Sequence, residues 1–155
     1  MYFNEKIVGS NIYLKPLNLN DASSEYLSWL NDKKINKFLE VRFDPPKKIK
    51  DLKTFIEFHK NSKSSLLFGI FHNNNFIGTI KLSDINENHK FAYVGIMIGN
   101  LNYHGLGYGK EAIVLVSDFA INNLKLETLY AGCYDANQSS FNTFLKSGFI
   151  KVAEI

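Results

Sequence analysis

Residues 103–112 read YHGLGYGKEA, and they place a glycine at every second position directly before a helix-like segment. The glycines are Gly105, Gly107 and Gly109, and after them apolar residues recur every three to four positions from Ala112 to Ala120. Glycine lets backbone N–H groups approach a ligand closely, and helix N-termini attract anions. The stretch therefore predicts a loop that binds a phosphate-like group and opens into a helix.

Two common phosphate-binding patterns do not account for this loop. The Walker A form ends in Gly-Lys-Ser/Thr, but here Lys110 is followed by Glu111. Residues 107–112 satisfy the dinucleotide fingerprint GxGxx(G/A), and Glu127 lies 20 residues beyond Gly107. However, only 43 residues follow Ala112, too few to complete a doubly wound sheet. We therefore expect the anion-binding loop to belong to a fold other than the Walker A and doubly wound dinucleotide-binding folds.

The composition is typical of one globular domain over residues 1–155. The chain is 45% apolar and 21% charged, with a net charge of +3, which indicates neither nucleic-acid nor membrane binding. We see no signal peptide and no apolar run of 18 residues, so we expect a cytoplasmic protein. The single Cys133 lies in an apolar segment, which predicts a buried side chain and no metal site; we assign His59 and His89 to the surface.

The other periodicities predict the order β, α, α, α, β, β, β, α, β, α, β. The first strand, at residues 11–17, is compatible with a sheet edge because it contains Pro16, and Asn20 or Asp21 can cap the helix after it. Three strands at 66–71, 76–82 and 91–98 follow one another as an antiparallel meander. The last elements are a strand at 128–134, a short helix and a strand at 149–155. We predict an α+β fold, layered α/β/α, with a mixed, mostly antiparallel central sheet.

Two motifs in order resemble those of a known family. Residues 104–109, HGLGYG, fit (Q/R)xxGx(G/A) with histidine in first place, and residues 137–140 and 144–149, NQSS and FLKSGF, are similar to a second signature, N-x-x-(S/A) then aromatic-x-K-x-G-F. Both signatures are those of the GNAT superfamily of acyl-CoA-dependent N-acyltransferases. The order of helices and strands predicted above also resembles the order in that superfamily. The resemblance covers about residues 10–155, and it implies a sheet that is splayed where coenzyme A binds.

By this resemblance, acetyl-CoA is the cofactor. Its pyrophosphate would bind the amides of residues 106–110, and its pantetheine arm would lie between strands 93–99 and 129–134, with Gly99 forming a bulge that opens the sheet. The residues implied in cofactor binding are Met97, Ile98, Gly99, His104, Gly105, Leu106, Gly107, Tyr108, Gly109, Lys110, Asn137, Ser140, Phe144 and Lys146.

The resemblance also assigns catalytic roles. A backbone N–H at Met97 or Ile98 would form the oxyanion site. Many family members carry a tyrosine as the thiolate's proton donor where this chain has Phe144, so a water or Tyr134 would serve instead. The general base is left open among loop residues that face the acceptor side. These are Glu40, Asp84, Glu87, His104 and Asp135.

The acceptor side would be built from residues 26–43 and would bind a small-molecule amine through Trp29, Glu40, Arg42 and Asp84. This segment resembles the subgroup of ribosomal-protein N-terminal and bacterial amino-sugar acetyltransferases, and it favours an amino sugar. Arg42, the one arginine, could pair with a nucleotide-sugar phosphate or form a surface ion pair. A non-catalytic acyl-CoA-binding domain is the other alternative. The family's last strand would be missing after Ile155, so we expect a monomer or a homodimer.

Overall fold

The computed structural model describes residues 3–155, and six strands form one sheet in the order β1-β2-β3-β4-β5-β6. The strands are β1 Ile7–Val8, β2 Tyr13–Pro16, β3 Leu66–His72, β4 Asn75–Asn86, β5 Phe91–Ile98 and β6 Thr128–Tyr130. Neighbouring strands are antiparallel except β5 and β6, which are parallel. The predicted α+β class and mixed sheet are confirmed.

Five helices cover the two faces of this sheet. They are α1 Ser24–Asn31, α2 Lys33–Asn36, α3 Ile49–Asn61, α4 Tyr108–Asn122 and α5 Gln138–Lys146. One apolar cluster joins α4 and α5 to the sheet through residues such as Ile113, Val116 and Phe144. A second cluster joins α1 and α3 to the opposite face through Trp29 and Leu52. The alternation of strand side chains between faces produces these layers.

The central hairpin forms as its sequence predicts. All of β3 except His72 is buried, and β3 pairs with β4 from Leu66↔Leu82 to His72↔Asn75. Asn73 and Asn74 make the turn with φ angles of 47° and 65°, a region that asparagine tolerates better than most residues. The meander therefore forms a rigid centre from which β5 extends.

Three predictions in the first half are wrong in detail. Strand β2 is not an edge, because β1, which has no clear pattern of its own, pairs outside it. The cap of α1 is Ser23, whose Oγ accepts from the N–H of Tyr26 at 3.1 Å, while Asn18 caps a separate 3-10 turn, Leu19–Asp21. The apolar spacing of Ile35, Phe38 and Leu39 predicts a second helix through Leu39, but this helix ends at Asn36, before a 3-10 turn over Glu40–Phe43.

The predicted last strand is also wrong. Residues 149–155 lie outside any strand of the described chain, and Ile150 is 79% exposed, so this segment adds no strand to the edge that β6 forms. Strand β6 ends four residues early, whereas β4 continues through Ser83 to Asn86 across a register shift. None of the helices within residues 3–155 has both the length and the apolar character needed to cross a membrane.

Candidate active site

A cleft of about 1170 Å³ opens where β5 and β6 separate. The two strands pair at Phe91↔Thr128, Ala92↔Leu129 and Tyr93↔Tyr130 and then diverge. Beyond that point the cleft is lined by residues 94–97 of β5 on one side and by Gly132, Cys133 and Tyr134 on the other. The same cleft continues between the 3-10 turn at Glu40–Phe43 and helix α3. One cavity thus joins the splayed strands to the predicted acceptor segment.

Backbone groups of β5 face the cleft at alternate residues. The carbonyl of Lys90 accepts from the N–H groups of Glu127 and Thr128, whereas the N–H of Gly99 donates to Ile77 in β4 at 2.9 Å. Since N–H and C=O directions alternate along a strand, even-numbered residues point toward β6 and odd-numbered ones toward β4. Val94, Ile96 and Ile98 therefore direct their backbone groups into the splay, while those of Met97 are directed to Thr79.

The glycine loop stands at the start of α4 and is largely exposed. Gly105 and Gly107 have φ angles of 73° and 86°, and a side-chain carbon added at either would meet no atom within 4 Å. Gly107 caps α4 without a side-chain hydrogen bond, so the first N–H groups of the helix lack a side-chain cap. Gly109 lies near the side chains of Ile96 and Thr143, at 3.8 and 3.6 Å from an added carbon. The loop therefore adjoins the cleft through Gly109.

His104 anchors this loop to β5. Its Nε2–H donates to the carbonyl of Ile98 at 2.6 Å, which occupies one of the backbone groups predicted to contact the pantetheine arm. Glu111 has a comparable role that the sequence did not suggest. Its carboxylate accepts from the backbone N–H groups of Asn11 and Ile12, at 2.8 Å for Ile12, and so ties α4 to the turn between β1 and β2.

The second motif forms the start of α5 and one wall of the cleft. The side-chain oxygen of Asn137 accepts from the N–H of Ser140 at 3.2 Å and caps the helix. Asn137, Ser140 and Phe144 line the cleft, whereas Lys146 lies in the last turn of α5, outside the lining. Cys133 was predicted to be buried but is exposed, because β6 ends before it; its thiol contacts Ser140 Oγ at 3.5 Å.

Tyr134 joins the acceptor segment to the far wall of the cleft. Its hydroxyl donates to Oε1 of Glu40 at 3.0 Å and accepts from Nη2 of Arg42 at 3.2 Å. The Arg42 guanidinium also stacks on the rings of Phe43 and Tyr134. Glu40 and Tyr134 line the cleft, whereas Arg42 does not, and Arg42 forms no ion pair within residues 3–155.

The other predicted acceptor residues lie outside the cleft lining. Trp29 is only 5% exposed, and its ring lies against Gly99, where an added carbon would come within 2.0 Å of the indole. The N–H groups of Gly99 and Asn100 both donate to the carbonyl of Ile77, at 2.9 and 3.2 Å, which is the two-against-one pattern of a β-bulge directly after the regular β4–β5 register. Gly99 is also a packing requirement, because a side chain there would overlap the Trp29 ring. Asp84 is exposed at the irregular end of β4, with φ 51°.

Three titratable residues with shifted pKa values lie on the face of the sheet covered by α1 and α3, here called the acceptor face, and two of them, Lys81 and His59, were not expected there. Burial lowers the pKa of Lys81, an effect that Asp84 opposes, and Lys81 lines the cleft. His59 is buried rather than on the surface; burial, and then Lys81, lower its pKa to about 4, and its Nδ1 contacts Ser65 Oγ at 2.9 Å. Burial raises the pKa of Tyr26, so its hydroxyl stays neutral beside Thr79. The apolar neighbours of Lys81 in β4 are the signal that could have located it.

Comparisons with known proteins agree with this geometry. A family model described as an acetyltransferase (GNAT) domain matches residues 11–150. The Bacillus subtilis (strain 168) protein named "Probable N-acetyltransferase YjcK" is 29% identical over 150 residues, covering 92% of this chain and 82% of its own. The crystal structure of spermidine N-acetyltransferase from Vibrio cholerae with CoA and spermine has a TM-score of 0.82 at 21% identity, covering 94% and 84% of the chains. The microcin C7 self-immunity acetyltransferase MccE, with acetyl-CoA and AMP, has a TM-score of 0.76 at 25% identity over 91% and 79%.

Proposed function

The chain belongs to the GNAT acetyltransferase family, and from this premise we propose that it moves the acetyl group of acetyl-CoA directly to the primary amine of an amino sugar held in the cleft. It is an N-acetyltransferase, and its cofactor is acetyl-CoA. The observation that carries the proposal is the continuous cleft from the splayed β5 backbone to the acceptor segment at Glu40. Both reactants can meet in it without a covalent enzyme intermediate.

The residues present fit the cofactor. Open space at Gly105 and Gly107 leaves room for a pyrophosphate beside the backbone N–H groups at the start of α4, whose dipole attracts anions. The backbone groups of Val94 and Ile96 lie on the open side of β5, where they can pair with the amides of a pantetheine arm. Acetyl-CoA supplies an acetyl group activated as a thioester. The N–H of Ile96 or Ile98 is better directed than that of Met97 to stabilise negative charge on its carbonyl oxygen.

Glu40 and Tyr134 are the pair that can move protons. Of the five candidate bases, Glu40 is the one that lines the cleft, and its Oε1 accepts a hydrogen bond from Tyr134. Glu40 can take the proton that the amine loses. Tyr134 Oη then holds a proton that it can release toward a leaving group in the cleft, and Glu40 can replace it through their hydrogen bond.

The lining of the acceptor end favours a sugar. Aromatic rings of Phe38, Phe55 and Phe58 can pack against the apolar face of a sugar ring. Polar groups of Asp44, Lys47, Asp51 and Thr54 stand among them and can bind hydroxyl groups. A few polar groups within a mostly apolar pocket are typical of a small-molecule site.

Coenzyme A release, followed with a thiol reagent, tests the proposal. The purified protein is given acetyl-CoA with glucosamine, with an amino sugar linked to a nucleoside diphosphate, with spermidine, and with peptides whose N-terminus is free. We expect turnover with the amino sugars at rates well above acetyl-CoA hydrolysis. A mass increase of one acetyl group on the sugar identifies the product.

Two results would overturn this function. Turnover with peptides alone would make the chain a protein N-terminal acetyltransferase. Tight acetyl-CoA binding, seen as a thermal shift, without turnover of any amine would make it an acyl-CoA-binding domain. The Glu40→Gln variant is the matched control for the chemistry, since it keeps the size of the side chain while removing the carboxylate that accepts the proton.

A further inference from the structure

Lys81 occupies a position in the acceptor end that the proposed chemistry does not use. It lies in β4 opposite Leu67 of β3 and Gly95 of β5, and it lines the cleft with Phe55 and Phe58 of α3. Gly95 stands between Val94 and Ile96, whose backbone groups are directed into the splay. A charged group thus lies on the strand next to the open backbone of β5.

The ammonium of Lys81 has no hydrogen-bond or ion-pair partner within residues 3–155, although Asp84 acts on it at longer range. Burial among apolar side chains removes part of the hydration that stabilises the charged ammonium. An anion bound next to the ammonium would compensate for this lost hydration. Three carboxylates line the same cleft, those of Glu40, Asp44 and Asp51, and none of them forms an ion pair with Lys81 within residues 3–155. Glu40 accepts from Tyr134, and Asp51 accepts from the N–H of Lys48 at 3.2 Å. Lys81 is therefore free to bind an incoming anion.

Space for such a group exists beside it. A side-chain carbon added at Gly95 would meet no atom within 4 Å, so neither packing nor a positive φ requires glycine there. Gly95 lies directly across from Lys81 and lines the same cleft. Because Gly95 has no side chain, the cleft surface that β5 forms next to the Lys81 ammonium is open. Even the methyl group of an alanine there would reduce the room for a ligand.

We propose that Lys81 is a specificity-determining residue that binds an anionic group, a phosphate or a carboxylate, on the acceptor amine while Gly95 provides the space for that group. The inference rests on the proposed function, and it deepens it by naming the acceptor as an amine that carries a negative charge. Arg42, which the sequence suggested for this task, is instead held by Tyr134 and by the carbonyl of Leu39. A polycation such as spermidine would place a positive charge near Lys81 and is disfavoured.

Matched acceptors test this assignment. Glucosamine is the neutral reference, glucosamine 6-phosphate and muramic acid add a phosphate or a carboxylate to it, and spermidine is the polycation. We expect kcat/KM for at least one anionic acceptor to exceed that for glucosamine about ten- to hundredfold, the effect of a hydrogen bond to a charged group. In Lys81→Met the ratio of kcat/KM for the anionic acceptor to kcat/KM for glucosamine should fall close to one, mainly through a higher KM for the anionic acceptor. In Lys81→Arg most of the preference for the anionic acceptor should be restored. Which anionic acceptor loses its advantage distinguishes phosphate from carboxylate.

Controls separate charge recognition from folding. Lys53→Met removes the same charge from the exposed face of α3, outside the cleft lining, and should leave the ratio and the KM for acetyl-CoA unchanged. The inference is overturned if the wild type has a higher kcat/KM for glucosamine or spermidine than for the anionic acceptors. It is also overturned if Lys81→Met lowers kcat/KM for all acceptors by the same factor. If no acceptor is turned over, the proposed function fails, and calorimetric binding of glucosamine 6-phosphate that Lys81→Met abolishes would still support the role of Lys81.

Discussion

The two ends of the cleft are built in opposite ways. The cofactor end consists of backbone, with a glycine loop that projects into open space and strand groups that point into a splay. The acceptor end consists of side chains that are distant in sequence, such as Tyr134 and Glu40, 94 residues apart. The proposed cofactor end therefore depends on side chains that are absent, whereas the proposed acceptor end depends on which side chains meet.

The largest effect should come from Gly99, which follows β5 outside the cleft lining. In Gly99→Ala the new carbon would lie within 2.0 Å of the Trp29 ring, which is buried and cannot move away, so we expect a loss of about 3 kcal/mol in unfolding free energy. Gly95→Ala, in open space on the same strand, should change stability by less than about 0.5 kcal/mol. Urea unfolding measures both, and equal losses would contradict the packing role of Gly99.

The next effect concerns the side-chain network of the acceptor end. Tyr134→Phe keeps the ring against Phe38 and Arg42 but removes the hydroxyl that joins Glu40 to Arg42. We expect kcat to fall about a hundredfold with little change in the KM for acetyl-CoA, because the lost group moves a proton rather than binding the cofactor. Steady-state kinetics measures both constants. A wild-type kcat in this variant would leave the network a purely structural role.

A smaller effect is expected in the glycine loop. Gly107→Ala places a side chain on a residue with φ 86°, which costs about 1–2 kcal/mol, and the loop can relieve the strain only by moving its N–H groups. Acetyl-CoA affinity should fall about tenfold or more. Gly109→Ala is the matched control, since its added carbon meets ordinary contacts at 3.6 Å and the motif itself allows alanine there. Calorimetric titration compares the two, and equal affinities would show that the loop conformation is not needed for binding.

The smallest effect is a pH dependence of the acceptor face. The ordinary histidine pKa is 6.5, and burial lowers that of folded His59 to about 4, so between these values the unfolded state binds more protons. The contribution of neutral His59 to the free energy of unfolding should be fully present above pH 6.5. It should decrease as the pH drops toward 4, by on the order of 1–2 kcal/mol. His59→Gln should show a flatter pH profile in thermal melts. Parallel profiles for the two proteins would place the acid sensitivity elsewhere.

The sequence predicted the cofactor end better than the acceptor end. The glycine turn, the helix after it, the antiparallel meander and the mixed character of the sheet are all confirmed. Its errors lie where a segment depends on a partner: residues 149–155 find no strand to pair with, and Cys133 is exposed because β6 ends before it. Trp29 and Arg42 were both predicted to bind the acceptor, but neither lines the cleft: Trp29 packs against Gly99, and Arg42 is held by Tyr134.

The family and the glycine turn before α4 could be recognised from the sequence, because glycine spacing and helix periodicity act over neighbouring residues and need no tertiary contacts. The folded chain was needed to show that Lys81 and Gly95 face each other across two strands, that Tyr134 reaches Glu40, and that the backbone of Ile96 rather than Met97 is open to the cleft. These facts depend on strand register and on where pairing ends. A shift of one residue would turn every side chain to the opposite face, so local patterns alone cannot specify the acceptor site.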